Sequence, residues 1–191
     1  AAKQAGATII NRQGSGPVTI TVDRQCGELK IPALVVGMSN MAQEKTHWQA
    51  TNGNCNYVQT ISGLGYGKLT AKTIPFWDNF EKATGLFPTQ SAMVAYDSMY
   101  LLKDAIERAG TIDSDAVVAA LEKTDYNGVQ GRIKLNARHD VIGTPDFGVS
   151  PLPEYVGSIA VQWQDQKLVP IYPEVVPYKI PPWVLDFYKK K

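Results

Sequence analysis

Two continuous apolar runs lie near the start of the chain, at residues 7–10 and 31–36. The segment between them, residues 18–29, has the length of a helix. Continuous apolar strands are typical of a parallel sheet that helices cover on both faces. The pattern therefore predicts a strand–helix–strand unit with both strands buried, and hence an α/β fold.

Small polar loops follow both of these predicted strands, at residues 11–16 and 37–40. In open α/β sheets, ligands bind beyond the carboxyl ends of the strands. We therefore expect a binding site where the two loops meet.

A short helix over residues 41–50 and a strand over residues 57–61 are predicted next. Three glycines then fall within residues 63–67. A phosphate-binding loop is one interpretation, but the dinucleotide spacing and a closing Lys-Ser/Thr pair are missing. The glycines favour a crossover or hinge.

Amphipathic periodicity predicts helices in the centre of the chain, over residues 74–84 and 91–109. The apolar face of the longer helix consists of Ala95, Met99, Leu102, Ile106 and Ala109. Gly110 is a candidate C-cap for this helix, and Asp113 is a candidate N-cap for a third helix. The expected buried face of that third helix consists of Val117, Ala120 and Leu121.

The last third of the chain has β-type alternation. A strand is predicted over residues 132–135, and a hairpin is predicted from residues 158–163 and 167–171. The alternation predicts one face toward water. The prolines between residues 170 and 182 exclude a single helix there.

Composition narrows the function classes. The chain has 191 residues, 44% of them hydrophobic, so it can bury a sizeable core. With 19% charged residues and a net charge of +1, it lacks the basic surface that binds nucleic acid or an anionic membrane. No apolar stretch approaches the roughly 20 residues that cross a bilayer, so we expect no direct membrane insertion.

Two cysteines, Cys26 and Cys55, are too few for a disulfide scaffold and match no metal spacing. A disulfide between them and a pair of free thiols remain equally open.

Little in the sequence points to catalysis. We expect His47 and His139 on the surface without metal-ligand partners, and we expect Asp97 to bond a neighbouring loop rather than act as a general base. The Gly-Ser-Gly of residues 14–16 is not the nucleophile elbow of a hydrolase. We therefore expect no metal, no cofactor and no enzymatic activity.

Five segments match a known family in order and spacing: residues 80–88, 95–99, 102–110, 113–121 and 128–131. The start of the chain also matches, at residues 5–10, residues 29–32 and Gly37, and so does its last part, at residues 163–173. Jointly they resemble the C-terminal half of the type I periplasmic solute-binding proteins of ABC transporters, the branched-chain amino-acid or leucine-binding protein family.

The resemblance implies a two-lobed clamshell of three-layer αβα lobes, of which this chain is an incomplete portion. It implies the following division: residues 1–62 in the second lobe, 63–70 in the hinge crossover, 71–129 in the first lobe, and 130–191 in closing strands and a tail that crosses back. The implied location is periplasmic or extracytoplasmic. The implied partners are the missing N-terminal half of the same protein and ABC permease subunits.

The same resemblance places the ligand between the lobes. The implied contact residues are Gly14, Ser15, Ser39, Asn40, Tyr66, Thr89 and Ser91. A helix N-terminus at Ser91 offers free N–H groups to a polar or anionic ligand, although Thr89 and Ser91 also suit plain helix capping. Tyr66 is a candidate to stack on the ligand, although a tyrosine near a hinge is more often there for packing.

The implied ligand class depends on Ser39. Amino-acid binders of this family resemble one another in placing a carboxylate near that position, where it pairs with the ligand ammonium. Because a buried ammonium without a counter-charge is costly, Ser39 at this position favours an amide or a small organic acid as the ligand. An amino acid stays among the candidate ligands. The implied function is solute capture by hinge closure; a sensory or regulatory domain of the same fold and a small α/β enzyme are the alternatives.

Overall fold

The computed structural model describes residues 4–142, 157–172 and 176–190. The strands in these ranges are β1 (Ile9–Gly14), β2 (Leu34–Ser39), β3 (Gln59–Ser62), β4 (Asp125–Asn127), β5 (Arg132–Lys134), β6 (Ile159–Gln164) and β7 (Lys167–Tyr172). The helices are α1 (Val18–Glu28), α2 (Thr46–Ala50), α3 (Thr73–Thr84), α4 (Gln90–Ala109), α5 (Ser114–Leu121) and α6 (Pro182–Lys189), with a 3₁₀ turn at Met41–Gln43. The predicted α/β class is confirmed.

β1 and β2 are parallel neighbours, in register from Ile9 opposite Leu34 to Gly14 opposite Ser39. With α1 between them they form the predicted strand–helix–strand unit. The predicted burial of both strands is wrong for β1, because Ile9 is 57% exposed. Among the described residues β1 pairs only with β2. An apolar run does not reveal whether a strand is central or at an edge.

Thr60 links β2 to a second, antiparallel sheet of order β3-β6-β7. Its hydroxyl accepts a hydrogen bond from the Ser39 backbone N–H at 3.0 Å and donates to the Ser39 carbonyl at 3.4 Å. The two sheets therefore meet at the carboxyl end of β2.

The predicted wet face of the β6–β7 hairpin is wrong, because residues 161–164 of β6 are all buried. The C-terminal segment covers the second face of β6. Gln162 donates to the Lys179 carbonyl at 2.8 Å and accepts from the Lys179 backbone N–H at 2.9 Å, while Gln164 donates to the Pro177 carbonyl at 2.8 Å.

The predicted hairpin itself is confirmed. Its turn consists of Asp165 and Gln166, with φ of 52° and 70°, as in a type I′ turn. The proline-rich tail is not one helix: β7 ends at Tyr172, and α6 begins at Pro182. The tail docks through Trp183, whose Nε1 donates to the Ile31 carbonyl at 3.0 Å.

The main core lies between the β3-β6-β7 sheet and α3. Its largest buried side chains include Trp77, Trp163, Leu168 and Val129. Trp163 Nε1 donates to the Ala42 carbonyl at 2.8 Å, which fixes the 3₁₀ turn against this core. The division of the chain into lobes at residues 62, 70 and 129 stays a prediction.

The α4–α5 hairpin has the predicted caps: Gly110 is left-handed with φ of 67°, and the Asp113 side chain accepts from the Ala116 backbone N–H. The predicted apolar face of α4 is mostly not buried, because Met99 is 67% and Leu102 is 41% exposed. Among the described residues, α4 packs against α5 through Ala105, Ile106 and Ala109, and this packing leaves Met99 and Leu102 exposed. Periodicity identifies an apolar face but not what covers it.

Candidate functional site

The polar loops after β1 and β2 lie side by side, because Gly14 and Ser39 are paired in the parallel register. Ser15 and Asn40, which follow these strands, are exposed. The carboxyl ends of β1 and β2 therefore present uncharged polar groups at one edge, where the sequence predicts a binding site.

Ser39 itself is fully buried. Its hydroxyl lies 2.9 Å from the Thr19 hydroxyl and accepts a hydrogen bond from the Ala42 backbone N–H at 3.2 Å. These contacts tie α1 and the 3₁₀ turn to the end of β2. The expectation that the Ser39 hydroxyl faces the ligand is thus not met, because this hydroxyl holds the loop, and the exposed polar group in that loop is Asn40.

Gly63 brings the end of β3 against the start of α4. A Cβ atom at this position would lie 3.1 Å from Gln90 Cγ and 3.1 Å from Met93 Cε. A Cβ atom here would press on these two side chains, so the backbone of residue 63 lies close to the first turn of α4. The N-terminus of this 20-residue helix is therefore beside the end of β3.

The first turn of α4 has open backbone donors. Thr89 is the N-cap residue, but its side chain makes no capping hydrogen bond. Ser91 in this turn is exposed. Free N–H groups and the helix dipole give this end a partial positive charge, which suits an anionic or polar acceptor group. The interpretation of Thr89 as a plain side-chain cap is not supported.

Tyr66 lies away from these residues. After β3 the chain turns back along the sheet, and the Tyr66 backbone N–H donates to the Leu168 carbonyl at 2.7 Å. Its ring packs edge-on against Trp77, with centroids 5.7 Å apart. The reversal carries Tyr66 toward the opposite end of β3 from Ser15 and Asn40, and its contact with Trp77 agrees with the packing alternative.

A buried polar network beneath the site is absent from the sequence-based predictions. Arg12 Nε donates to Asp23 Oδ1 at 2.6 Å, and His47 Nε2 lies 3.0 Å from Asp23 Oδ2. All three side chains are buried, so the expected surface position of His47 is wrong. The signal that could have indicated this network is an arginine near the end of a strand that was predicted to be buried, since a buried cation requires a counter-charge.

This network leaves Asp23 unavailable to a ligand, because both carboxylate oxygens are engaged. An Asp–His pair also occurs in catalytic triads, but general acid–base chemistry requires contact with a substrate. The side chains of Asp23 and His47 are both fully inaccessible. Together with Arg12, the pair holds β1, α1 and α2 against one another.

Asp97 on α4 accepts hydrogen bonds from the Val129 backbone N–H at 2.9 and 3.1 Å. The expected role of Asp97 in bonding a neighbouring loop is confirmed. Burial raises the pKa of this carboxyl, and the Val129 hydrogen bonds act in the opposite direction. His139 is exposed, as expected, and pairs with Glu122.

Cys26 and Cys55 are free thiols. Burial raises the pKa of Cys55 to about 12, and it also raises that of Cys26. Within residues 4–142, 157–172 and 176–190, no cluster of three or more His, Cys, Asp or Glu side chains could hold a metal ion. In the same ranges, every helix is too short or too polar to cross a lipid bilayer.

The sequence pattern of the periplasmic binding protein family matches residues 1–145. No curated protein matches the chain in sequence. Solved structures show the same fold at low identity. A leucine-binding protein from Thermotoga maritima is 18% identical, with a TM-score of 0.62 over 86% of this chain and 43% of that one.

Two further structures were solved with ligands. An ABC transporter solute-binding protein from R. palustris, in complex with benzoate, is 14% identical, with a TM-score of 0.67 over 89% of this chain and 44% of that one. A branched-chain amino-acid transporter substrate-binding protein from Streptococcus pneumoniae, in complex with isoleucine, is 20% identical, with a TM-score of 0.62 over 86% of this chain and 44% of that one. The chain thus spans less than half the length of these proteins.

Proposed function

This chain belongs to the periplasmic binding protein family, as the resemblance in its sequence predicts, and from that membership we propose that it captures a small solute for an ABC importer. The solute binds where the ends of β1, β2 and β3 face the N-terminus of α4. Closure of two lobes about the hinge then stabilises the bound state, because the ligand contacts both sides only when the lobes are closed.

The open N-terminus of α4 is the observation that carries this proposal. The first turn of this 20-residue helix lies beside Gly63 at the end of β3, and its N-cap residue Thr89 makes no side-chain capping bond. Such an end binds carboxylates and polar oxygens well. Binding at such a helix end needs no catalytic group, which favours a binding protein over an enzyme.

The polar groups at this edge favour a small organic acid or an amide over a zwitterionic amino acid. Ser39 stands where the related amino-acid binders resemble one another in having a carboxylate, and Asp23 is already engaged by Arg12 and His47. The benzoate complex of the R. palustris protein supports an organic acid, and the isoleucine complex of the Streptococcus pneumoniae protein keeps an amino acid among the candidates.

The proposed partners follow from the same family membership. We infer that the exposed apolar face of α4, with Met99 and Leu102, packs against the remainder of a two-lobed protein. The closed form then docks on ABC permease subunits. This role places the protein in the periplasm or another extracytoplasmic compartment.

A charge added at the helix N-terminus tests the proposed site. Ser91→Glu adds a negative charge beside the ligand, and a carboxylate in the first turn of a helix does not weaken folding. The matched control is Ser98→Glu, at an exposed position further along the same helix. In a thermal-shift screen of organic acids, amides and amino acids, Ser91→Glu abolishes stabilisation by anionic ligands, and Ser98→Glu retains it. Equal stabilisation of both variants contradicts the site.

A further inference from the structure

The outer edge of β1 has no partner strand among the described residues. On the inner edge, the Leu34 backbone N–H donates to the Thr8 carbonyl at 2.9 Å, and the parallel pairing continues along all six residues of β1. Because successive residues of a strand direct their backbone groups to opposite sides, the even-numbered residues of β1 bond β2. The N–H and C=O groups that point away from β2 are those of Ile9, Asn11 and Gln13.

This edge lacks the features that usually keep an exposed strand from pairing. Soluble proteins protect such edges with charged side chains, prolines, bulges or very short strands. β1 has six residues, its pairing with β2 has no bulge, and its outward residues are an isoleucine, an asparagine and a glutamine. The one charged residue of β1, Arg12, is buried and paired with Asp23. The edge therefore has the properties of a strand inside a sheet.

The face of the β1–β2 sheet opposite α1 is also uncovered. Arg12 reaches Asp23 of α1 from one face, so Ile9 and Gln13 lie on the other, and Met38 lies beside Gln13 in the register. Ile9 is 57% exposed and Met38 is 46% exposed. Parallel strands occur almost only in sheets that are covered on both faces. The open edge and the open face thus mark the same side of the molecule.

A strand that extends this sheet must come from a different segment of chain. Two copies of β1 that pair about a twofold axis would be antiparallel, whereas purely parallel sheets are favoured over mixed ones. The chain spans less than half the length of the related solute-binding proteins, so their remaining length can provide a further strand.

From these features we propose that a strand of the N-terminal half of the same protein pairs in parallel with the outer edge of β1. This inference rests on the proposed function, because it takes the chain to be part of a two-lobed solute-binding protein. The added strand bonds the backbone groups of Ile9, Asn11 and Gln13, and the segment that leads into or out of it covers Ile9 and Met38.

The added strand also contributes to the solute site. In a parallel sheet the carboxyl ends of neighbouring strands lie at the same edge, and ligands bind there. The loop after the added strand therefore lies beside Gly14 and Ser15, which follow β1. The N-terminal half thus completes the solute site on the side of β1 that faces away from β2.

Amide hydrogen exchange in β1, measured without solute, tests the added strand. In this chain alone, the amides of Asn11 and Gln13 exchange quickly, and those of Ile10 and Arg12 exchange slowly because they bond β2. Addition of the separately produced N-terminal half slows exchange at Asn11 and Gln13 by about tenfold or more. The alternating pattern is lost when both edges of β1 are paired.

Proline variants test the same edge by association. Asn11→Pro removes an N–H that bonds no strand in this chain, so the urea unfolding midpoint stays close to that of the wild type. It weakens association with the N-terminal half by about tenfold or more, because the proline ring blocks a pairing strand. The matched control Asn11→Ala removes the same side chain, keeps the N–H and retains association. Ile10→Pro removes a bond to β2 and lowers the unfolding midpoint.

Several outcomes overturn the proposal. One is unchanged exchange at Asn11 and Gln13 in the presence of the N-terminal half, and another is equal association of Asn11→Pro and Asn11→Ala. Slowing of the same amides with concentration in this chain alone assigns the edge to a second copy instead. The exchange measurement uses the wild-type sequence, so it decides the question even where Asn11→Pro lowers the unfolding midpoint. Because no solute is present, failure of the solute site, which Ser91→Glu tests, is seen independently.

Discussion

Arg12 Nε donates a hydrogen bond to Asp23 Oδ1 over 2.6 Å, and both side chains are buried. The contact joins the last part of β1 to the middle of α1, immediately below the loop that carries Gly14 and Ser15. His47 from α2 completes the arrangement at the second carboxylate oxygen. The polar loops of the solute site are thus built on a buried charged support.

Loss of Arg12 tests this support. Arg12→Met leaves Asp23 buried without its cation, and breaking a buried pair in this way costs about 3–5 kcal/mol of stability. Urea unfolding measures the difference. Lys103→Met, which breaks the exposed Lys103–Glu107 pair on α4, serves as the control and leaves the unfolding midpoint unchanged. An equally small effect of Arg12→Met would show that the pair is not a support.

Asp97 provides a pH-dependent test. Its pKa is raised in the folded protein because burial penalises the charged form. The protonated form is therefore favoured by folding, and this contribution is complete below the unfolded pKa of about 4 and is lost as pH rises through the folded pKa. Asp97→Asn removes the dependence. As pH rises through that window, the free energy of unfolding of the wild type should fall relative to that of Asp97→Asn. Parallel pH curves for the two proteins would contradict a raised pKa of Asp97.

The α4 surface gives a prediction about assembly. Met99→Ser and Leu102→Ser together leave the stability of this chain nearly unchanged, because both side chains are already exposed. They weaken packing against the rest of a two-lobed protein, measured as binding of a separately produced N-terminal half. Met93→Ser, at a buried position on the same helix, gives the opposite pattern and unfolds the chain more easily. Unchanged association of the double variant would exclude this face as the interface.

The thiols give a chemical prediction. Because the pKa of Cys55 is raised to about 12, almost none of it is thiolate at neutral pH, and the thiolate is the reactive form. Native protein should therefore react with iodoacetamide at Cys55 only after unfolding. Intact mass under non-reducing conditions should retain both thiol hydrogens. A mass lower by two hydrogens would instead identify a Cys26–Cys55 disulfide.

Local chemistry accounts for the elements that the sequence predicts well. The end of α4 at Gly110 and the start of α5 at Asp113 are specified by single residues whose backbone or side-chain properties suit a cap. The hairpin and the strand–helix–strand unit likewise depend on neighbouring segments. Their existence was predictable, although β1 and β2 end three or four residues later than the apolar runs.

Tertiary contacts account for the positions at which the structure differs from the sequence-based predictions. Ile9 is exposed and β6 is buried because of which segments cover them, and these segments lie far away in the chain. His47 is buried because Asp23 and Arg12 meet it, which no spacing indicates. In the candidate site, Ser15, Asn40 and Ser91 are exposed at the predicted loops and helix start. Tyr66 lies away from these residues because the chain reverses direction after β3. The glycines of residues 63–67 allow this reversal, but their presence in the sequence does not predict its direction.

Calorimetric titration of the purified protein with a panel of organic acids, amides and amino acids tests the central claim most directly. Solute capture at the strand ends and the α4 N-terminus predicts saturable binding of at least one member with a stoichiometry of one at that site, lost in Ser91→Glu and retained in Ser98→Glu. Binding that Ser91→Glu leaves unchanged, or consumption of the ligand during the titration, would contradict it.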